Sequence, residues 1–151
     1  MTLNFRIATC DDIQECITIR GSTRDNAISA ARLAELGVTH LSWSQNVADE
    51  KLSGVVCLEL ERIVGHCFAD PSTGEIVVLA VLPDWEGKGV GKRLLEITVR
   101  NLWARGHRRL FLAASPKTQY RSHGFYRHLG WKPSGRTHAN QDEELEYFPS
   151  G

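Results

Sequence analysis

The segment 75–105 constrains the fold more than any other part of the chain, because it joins a β-branched run, a turn with three glycines and an amphipathic stretch. Its first seven residues favour a strand, which Pro83 ends because proline cannot donate a hydrogen bond to a neighbouring strand. Apolar residues then recur at helical spacing over 89–105, and Gly106 is a typical helix stop. A further apolar run at 109–114 predicts a second strand. Strands that flank a helix in this way are expected to be parallel neighbours in one sheet.

Two more β-branched runs precede this segment, at 54–60 and 63–69. Their short connections to one another and to the strand at 75–81 predict an antiparallel meander. Periodicity, capping residues and glycine stops indicate the other elements, which are a strand at 5–8, helices ending near Arg20, Gly37 and Glu50, a helix near 121–129, and strands beginning at Trp131 and near Glu144. The predicted class is therefore α+β, or α/β in looser naming, with a mixed, mostly antiparallel central sheet flanked by helices.

Length and composition are those of one globular domain. The chain has 151 residues, enough for one core and short for two, and 42% of them are hydrophobic. We therefore expect a single domain over residues 1–151. Eighteen basic residues balance eighteen acidic ones, so the whole molecule has no field that attracts nucleic acid or an anionic membrane. Any phosphate site must be local.

The sequence indicates no membrane segment, metal site or disulfide framework. Its first residues lack the apolar core of a signal peptide and no apolar run is long enough to span a bilayer, so we expect a cytoplasmic protein. The four cysteines contain no Cys-x-x-Cys pair, which favours reduced, packed thiols. The spacing of His123, His128, His138 and Asp142 fits no compact ligand motif, so no metal is expected.

Gly87, Gly89 and Gly91 alternate with other residues in the turn that opens the predicted helix. Glycine lets the backbone approach a ligand closely, and the unpaired amides of a first helical turn favour phosphate. The spacing fits neither Gly-x-x-x-x-Gly-Lys-[Ser/Thr] nor Gly-x-Gly-x-x-Gly, which excludes two common nucleotide motifs. The alternative is a tight turn that needs glycine for its conformation alone.

The stretch Glu86-Gly87-Lys88-Gly89-Val90-Gly91, preceded by Val81-Leu82-Pro83, resembles motif A of the GNAT superfamily of N-acetyltransferases, written Gln/Arg-x-x-Gly-x-Gly/Ala. The resemblance implies that the pyrophosphate of acetyl-CoA binds on this turn, with pantetheine between two splayed parallel strands. Glu86 stands where the family has Gln or Arg, and an acid there should not touch phosphate directly, so we assign those contacts to backbone amides and two lysines. The cofactor-binding residues implied are Leu79, Ala80, Val81, Glu86, Gly87, Lys88, Gly89, Val90, Gly91 and Lys92.

A second stretch, Phe125-Tyr126-Arg127-His128-Leu129-Gly130-Trp131, resembles the Phe-Tyr-x-x-Leu-Gly-Phe signature of the same superfamily. In many relatives this tyrosine protonates the departing thiolate, and the resemblance assigns that role to Tyr126. Tyr120 and His123 stand where the family often has Asn and Ala, so the contact made by that Asn is not implied here. The alternative for Tyr126 is an aromatic packed in the core with its hydroxyl satisfied.

Acetyl transfer to an amine needs a base, because an alkyl amine with a pKa near 10 is mostly protonated and freeing its lone pair costs about 4 kcal/mol at neutral pH. Glu75 is the candidate base, acting directly or through ordered water. It begins the strand that leads into the glycine turn and is expected to face the same side as Val77, Leu79 and Val81. The strand also resembles one in histone acetyltransferases whose glutamate is the base. The alternatives are a polar strand-start residue without a catalytic role, or a base at Glu59, Glu61 or His66.

A polar loop follows the first predicted helix. In the superfamily this loop walls the acceptor site, so the resemblance implies substrate contacts from Arg20, Ser22, Arg24 and Asn26. These features together predict an N-acetyltransferase that moves an acetyl group from acetyl-CoA to a primary amine of a small molecule or peptide, by direct attack in a ternary complex.

Other functions stay open at the level of sequence. Glu86 and Tyr120 motivate a non-catalytic CoA-binding or sensing module. An interaction domain is a weaker alternative, because neutral net charge counts against nucleic acid. The sequence does not indicate which amine is the acceptor. A homodimer paired through the last strands, as in many relatives, is compatible with it.

Overall fold

Seven strands form one sheet within residues 2–150, the part of the chain that this computed structural model describes. In chain order the strands are β1 (Leu3–Ile7), β2 (Ser53–Glu59), β3 (Arg62–Asp70), β4 (Glu75–Val81), β5 (Leu110–Ala114), β6 (Lys132–Thr137) and β7 (Glu143–Tyr147). Across the sheet the order is β1-β2-β3-β4-β5-β7-β6, and each neighbouring pair is antiparallel except β4 and β5. The predicted mixed sheet and its parallel pair are confirmed.

The helices in chain order are α1 (Ile13–Arg20), α2 (Ala30–Glu35), α3 (His40–Ala48), α4 (Val90–Ala104) and α5 (Arg121–His128). Their boundaries follow from local chemistry. Ser29 begins α2 by accepting a hydrogen bond from the backbone nitrogen of Arg32 at 3.1 Å, which satisfies one free amide of the first turn. Gly106 follows α4 with φ of +101°, a left-handed conformation that favours glycine at a helix end.

Apolar cores cover both faces of the sheet. On one face Leu94 and Leu102 of α4 pack in a cluster with buried residues of the strands, among them Leu112. On the other face Ile13 of α1 and Trp43 of α3 pack in a second cluster with strand residues. Each buried leucine or isoleucine stabilises the fold by about 1.5–3 kcal/mol relative to an exposed one. The helices therefore hold the sheet from both sides.

A β-bulge interrupts β4 close to its start. Phe68 of β3 pairs with Val78 of β4, whereas the next residue, Ala69, pairs with Ile76. Val77 is therefore an extra residue on β4, and such a residue reverses the alternation of side chains on either side of it.

The bulge changes the face on which the candidate base lies. Ile76 packs in the same core as Leu79 and Val81, although its parity along the chain differs from theirs. Glu75 is next to Ile76 and therefore lies on the opposite face, the face that carries α1 to α3. The prediction that Glu75 faces the same side as Leu79 and Val81 is wrong, because a continuous apolar run gives no sign of a bulge.

A charged pair joins β1 to the start of α1. Both terminal nitrogens of Arg6 donate to the Asp12 carboxylate at 2.8 Å, and the same carboxylate accepts from the Thr9 backbone N–H at 2.7 Å. The Asp12 side chain is only 7% exposed, so these charge-assisted bonds replace its lost water contacts. The guanidinium of Arg6 holds the pKa of Asp12 below its ordinary value, against the opposing effect of burial.

We expect Asp12→Asn to lower the free energy of unfolding by about 1–3 kcal/mol at neutral pH, since hydrogen bonds to charged groups contribute about that much. A depressed folded-state pKa means that the stabilisation is present above the unfolded pKa of Asp12 and is lost as pH falls through the folded value. The difference between wild type and variant should therefore shrink in acid. Urea unfolding at neutral and at acidic pH measures the free energy of unfolding of wild type and variant. Glu35→Gln removes the exposed pair with Arg32 and serves as the control. Equal stability of wild type and Asp12→Asn at neutral pH would contradict this account.

Candidate active site

A cavity of about 910 Å³ lies where β4 and β5 diverge. Among the described residues of these strands only Glu75 and Phe111 pair. Beyond that pair, residues 76–81 form one wall of the cavity and residues 112–114 form another. The strand edges that face each other have backbone groups without a strand partner, and a buried group of this kind needs a ligand or water. The gap is therefore suited to an extended polar ligand.

The turn between β4 and α4 forms part of the cavity wall. Gly87 and Gly89 have φ of +72° and +83°, a region that favours glycine. A Cβ at either position would meet no atom within 4 Å, so the space above the turn is open. No side chain in the described chain caps the start of α4, which leaves its first amides able to bind an anion. Glycine is needed here for conformation, and the turn also has the chemistry of a phosphate site.

Two lysines, Lys88 and Lys92, were predicted to bind phosphate at this turn, and only one of them lies at the cavity. Lys92 lines the cavity. Lys88 does not, because its Nζ lies over the ring of Trp85, 5.0 Å from the centroid. Trp85 itself lines the cavity, although nothing in the sequence marks it as more than a turn residue.

Glu86 lies beside two arginines rather than alone. Its Oε2 is 3.0 Å from Nε of Arg24 and 3.3 Å from Nε of Arg121. Neither contact has hydrogen-bond geometry, and this buried oxygen has no hydrogen-bond partner in the described chain. In addition, Asp25 accepts a hydrogen bond from the Arg121 backbone nitrogen at 3.0 Å. The loop after α1 and the start of α5 therefore meet at the glycine turn.

Tyr126 reaches the cavity from α5. Its ring packs edge-on against Phe125 and Trp131, with centroids 5.2 and 6.0 Å away. The hydroxyl makes no hydrogen bond to any residue between 2 and 150. Burial raises the pKa of Tyr126 well above its ordinary value, and the nearby guanidinium of Arg20 opposes that shift. The hydroxyl is therefore protonated at neutral pH and free to donate to a ligand.

Glu75 lies just outside the cavity. It is half-buried at the start of β4, where the neighbouring Ile76 begins the cavity wall. Burial raises the pKa of Glu75, and the nearby negative charge of Asp70 raises it further. A raised pKa makes the carboxylate a stronger base, which is the property that general-base catalysis needs.

The three alternative bases do not line the cavity either. Glu59 is the last residue of β2, and Glu61 lies in the tight turn between β2 and β3. His66 is fully buried, with its Nε2 3.3 Å from the carbonyl oxygen of Cys16. Burial lowers the pKa of His66 to about 4, so it would be a weak base at neutral pH.

The loop after α1 forms the wall next to Tyr126. Arg20, Arg24 and Asn26 line the cavity, whereas Ser22 does not. Instead, the Ser22 hydroxyl donates to the carbonyl of Thr18 at 2.8 Å and closes the end of α1. Arg20 donates to the Asn26 carbonyl at 2.6 Å, which ties the loop to the helix. Three of the four residues expected to contact the acceptor are thus at the cavity.

No cluster of three or more histidine, cysteine, aspartate or glutamate side chains with the arrangement of a metal site occurs in residues 2–150. Within the same range, no helix is both long enough and apolar enough to cross a membrane. The four cysteines are free thiols.

The sequence model of the acetyltransferase (GNAT) family matches residues 14–131, well over half of the chain. The chain belongs to this family. The match includes both the glycine turn and the Phe-Tyr stretch of α5, and it confirms the resemblance drawn from those two motifs. None of the curated proteins matches the chain.

Solved GNAT structures share this fold. The PaiA N-acetyltransferase of Thermoplasma acidophilum, solved with coenzyme A, aligns with a TM-score of 0.82 at 15% identity over 99% of this chain and 100% of its own. The ribosomal-protein-S18-alanine N-acetyltransferase of Escherichia coli gives 0.71 at 15% identity over 96% and 91%. An N-acetyltransferase of Staphylococcus aureus Mu50 gives 0.74 at 14% identity over 98% and 99%. At these identities the likeness establishes the GNAT fold.

Gly89→Glu should abolish binding of CoA, because a charged side chain would enter the open space above the turn and the left-handed φ would be strained. Isothermal titration calorimetry with CoA measures the loss. Gly106→Glu is the matched control, since Gly106 also has a positive φ and open space around it but lies at the far end of α4. Wild-type affinity in Gly89→Glu would show that phosphate does not bind here.

Proposed function

We propose that this GNAT protein transfers an acetyl group from acetyl-CoA to a primary amine of a small molecule or peptide, by direct attack within a ternary complex. One observation carries the proposal. The cavity between the diverging strands runs from an uncapped glycine turn to the hydroxyl of the buried residue Tyr126, in a chain of the acetyltransferase family. We also propose that residues 1–151 form a single domain, since both cores pack on one sheet.

For the donor, we infer that the phosphates of acetyl-CoA bind the backbone amides of residues 87–92, with Lys92 as a charged partner. Pantetheine then lies along β4 and takes the hydrogen bonds that β5 does not make with Leu79, Ala80 and Val81. One backbone amide of this edge polarises the thioester carbonyl, where negative charge develops in the transition state. The coenzyme A in the Thermoplasma acidophilum relative, which has the same fold, supports this choice of donor.

For the acceptor, we infer that the amine enters between the loop after α1 and the strands, with Arg20 and Asn26 as wall residues. Glu75 accepts the ammonium proton through an ordered water, because it is adjacent to the cavity wall without lining it. Its raised pKa supports this assignment. A positioned base of this kind typically contributes about 10²- to 10⁴-fold.

Tyr126 stabilises the departing thiolate by donating a hydrogen bond, and the thiolate leaves as the thiol of CoA after it takes the second proton that the attacking nitrogen loses as the amide forms. Complete proton transfer from a phenol with a pKa above 10 to a thiolate with a pKa near 8.5 is uphill by at least about 2 kcal/mol. Burial raises the tyrosine pKa further. A charge-assisted hydrogen bond needs no such transfer and stabilises the developing charge directly.

A CoA-binding module without turnover is the second candidate, and the place of Glu75 outside the cavity wall favours it. Acetylation distinguishes the two functions. A sensor would bind acetyl-CoA with measurable affinity and would transfer its acetyl group to no amine.

We expect the wild-type protein, incubated with acetyl-CoA and a library of amino acids, polyamines, aminoglycosides and peptides, to add an acetyl mass to at least one amine. Tyr126→Phe keeps the packed ring, so it should lower kcat about 10- to 100-fold with little change in CoA affinity. Mass spectrometry measures the product and calorimetry the affinity. CoA binding without any acetylated product would favour the sensor, and absence of CoA binding would contradict both functions.

Glu75→Gln should remove the acidic limb of the kcat/KM profile. In the wild type the rate should fall as pH drops through the raised pKa of Glu75, because protonation removes the base. The variant should be slow and lack this limb. Glu35→Gln, on the exposed surface of α2 and away from the cavity wall, is the control. An unchanged profile in Glu75→Gln would move the base elsewhere.

A further inference from the structure

Glu86 is the acid at the first position of the glycine motif, and it is largely enclosed. Its side chain is 14% exposed, whereas those of Arg24 and Arg121 are 59% and 56% exposed. The two arginines come from different elements, the loop after α1 and the start of α5. A single carboxylate oxygen thus holds two guanidinium groups at the same end of the cavity.

Each arginine contacts Glu86 through its Nε, at 3.0 Å for Arg24 and 3.3 Å for Arg121. The terminal nitrogens of both side chains have no hydrogen-bond partner within residues 2–150. Guanidinium nitrogens form a planar fork that matches the oxygens of a phosphate group. Both residues line the cavity that contains the glycine turn, so their free donors belong to side chains at the same cavity as its amides.

Charge explains why an acid is tolerated at this position. Alone, Glu86 would repel a phosphate bound to the adjacent amides. The two arginines outweigh Glu86 by one positive charge, and the carboxylate of Asp25 beside Arg121 offsets that charge. Lys92 at the same turn leaves the group with a net charge of +1. The contact between Asp25 and the backbone of Arg121 joins the loop to α5, which keeps the backbones of the two arginines near each other.

We propose that Arg24 and Arg121, oriented by Glu86, bind the phosphate groups of CoA with their terminal nitrogens. The assignment rests on the proposed function for the identity of the ligand, and it moves Arg24 from the acceptor to the donor. Glu86 is a positioning residue that acts through the arginines and does not touch the phosphates itself.

The test is calorimetric titration with CoA, dephospho-CoA and pantetheine. Arg24→Ala/Arg121→Ala should weaken CoA binding about 10- to 100-fold, as expected for the loss of charge-assisted hydrogen bonds at a partly exposed site. Its affinity for pantetheine should match that of wild type. Equal losses for CoA and dephospho-CoA assign the arginines to the diphosphate, and a loss for CoA alone assigns them to the 3′-phosphate. Arg32→Ala, which also removes an arginine paired with a glutamate, is the control.

Glu86→Gln gives the sharper result, because two effects predict opposite signs. If Glu86 orients the arginines, the substitution weakens CoA binding by roughly 5-fold, because it removes the charge attraction that holds the two guanidinium groups at the turn. If Glu86 only repels phosphate, the substitution tightens binding. In the Arg24→Ala/Arg121→Ala background only repulsion remains, so there Glu86→Gln should tighten binding. Thermal melting of each variant establishes that it is folded, and Arg24→Lys with Arg121→Lys tests the fork with charge retained.

Two results would overturn the proposal. One is an unchanged CoA affinity in the double arginine variant, and the other is tighter binding by Glu86→Gln in the wild-type background. Failure of the proposed function has a different signature, because the wild-type protein would then bind CoA without acetylating any amine, or would bind no CoA at all.

Discussion

The divergence of β4 from β5 is the constraint on which the rest of the structure depends. The two strands pair at a single position in the part that the structure describes, so hydrogen bonds hardly join the two halves of the sheet. The core beneath α4 joins them instead, because it contains residues from both halves, such as Val64 and Leu145. A close-packed interior resists deformation, and this packing keeps the gap open while the sheet stays in one piece.

Electrostatics at the open end of the gap depend on groups that are far apart in sequence. The sequence shows Glu86 without its neighbours in space, and an isolated carboxylate would be unfavourable in a phosphate site. In the fold it lies beside Arg24 and Arg121, and its carboxylate attracts both guanidinium groups to the turn. The sign of a local field therefore follows from the cluster and not from the residue.

The sequence predicts those parts of the fold that depend on local chemistry. The glycines at 87 and 89 specify the turn because their conformation is left-handed, and Ser29 marks the start of α2 because it caps it. The face of Glu75 could not be predicted in this way, since the bulge at Val77 depends on pairing with β3. Arg121 was missed for the same kind of reason, because its partner Glu86 is distant in the chain.

The residues of the site show the same difference between features set by local sequence and features set by contacts between distant residues. Tyr126 and the glycine turn lie in short contiguous motifs, and both line the cavity. Lys88 was assigned to phosphate from its position in the motif, but it packs on Trp85. Ser22 was assigned to the acceptor, yet its hydroxyl bonds to the preceding helix. A long or polar side chain can interact with several neighbours, and the surrounding fold determines which of these contacts forms.

The open gap also links the lifetime of the protein to its ligand. Backbone groups on the facing edges of β4 and β5 form few bonds of their own, so a molecule that fills the gap binds the folded chain and not the unfolded one. At about one hundred times its dissociation constant such a ligand adds about 2.7 kcal/mol to the free energy of unfolding. Proteases that cleave opened chains would then remove the empty protein faster than the occupied one. A larger supply of such a ligand would therefore raise the fraction of the protein that stays folded.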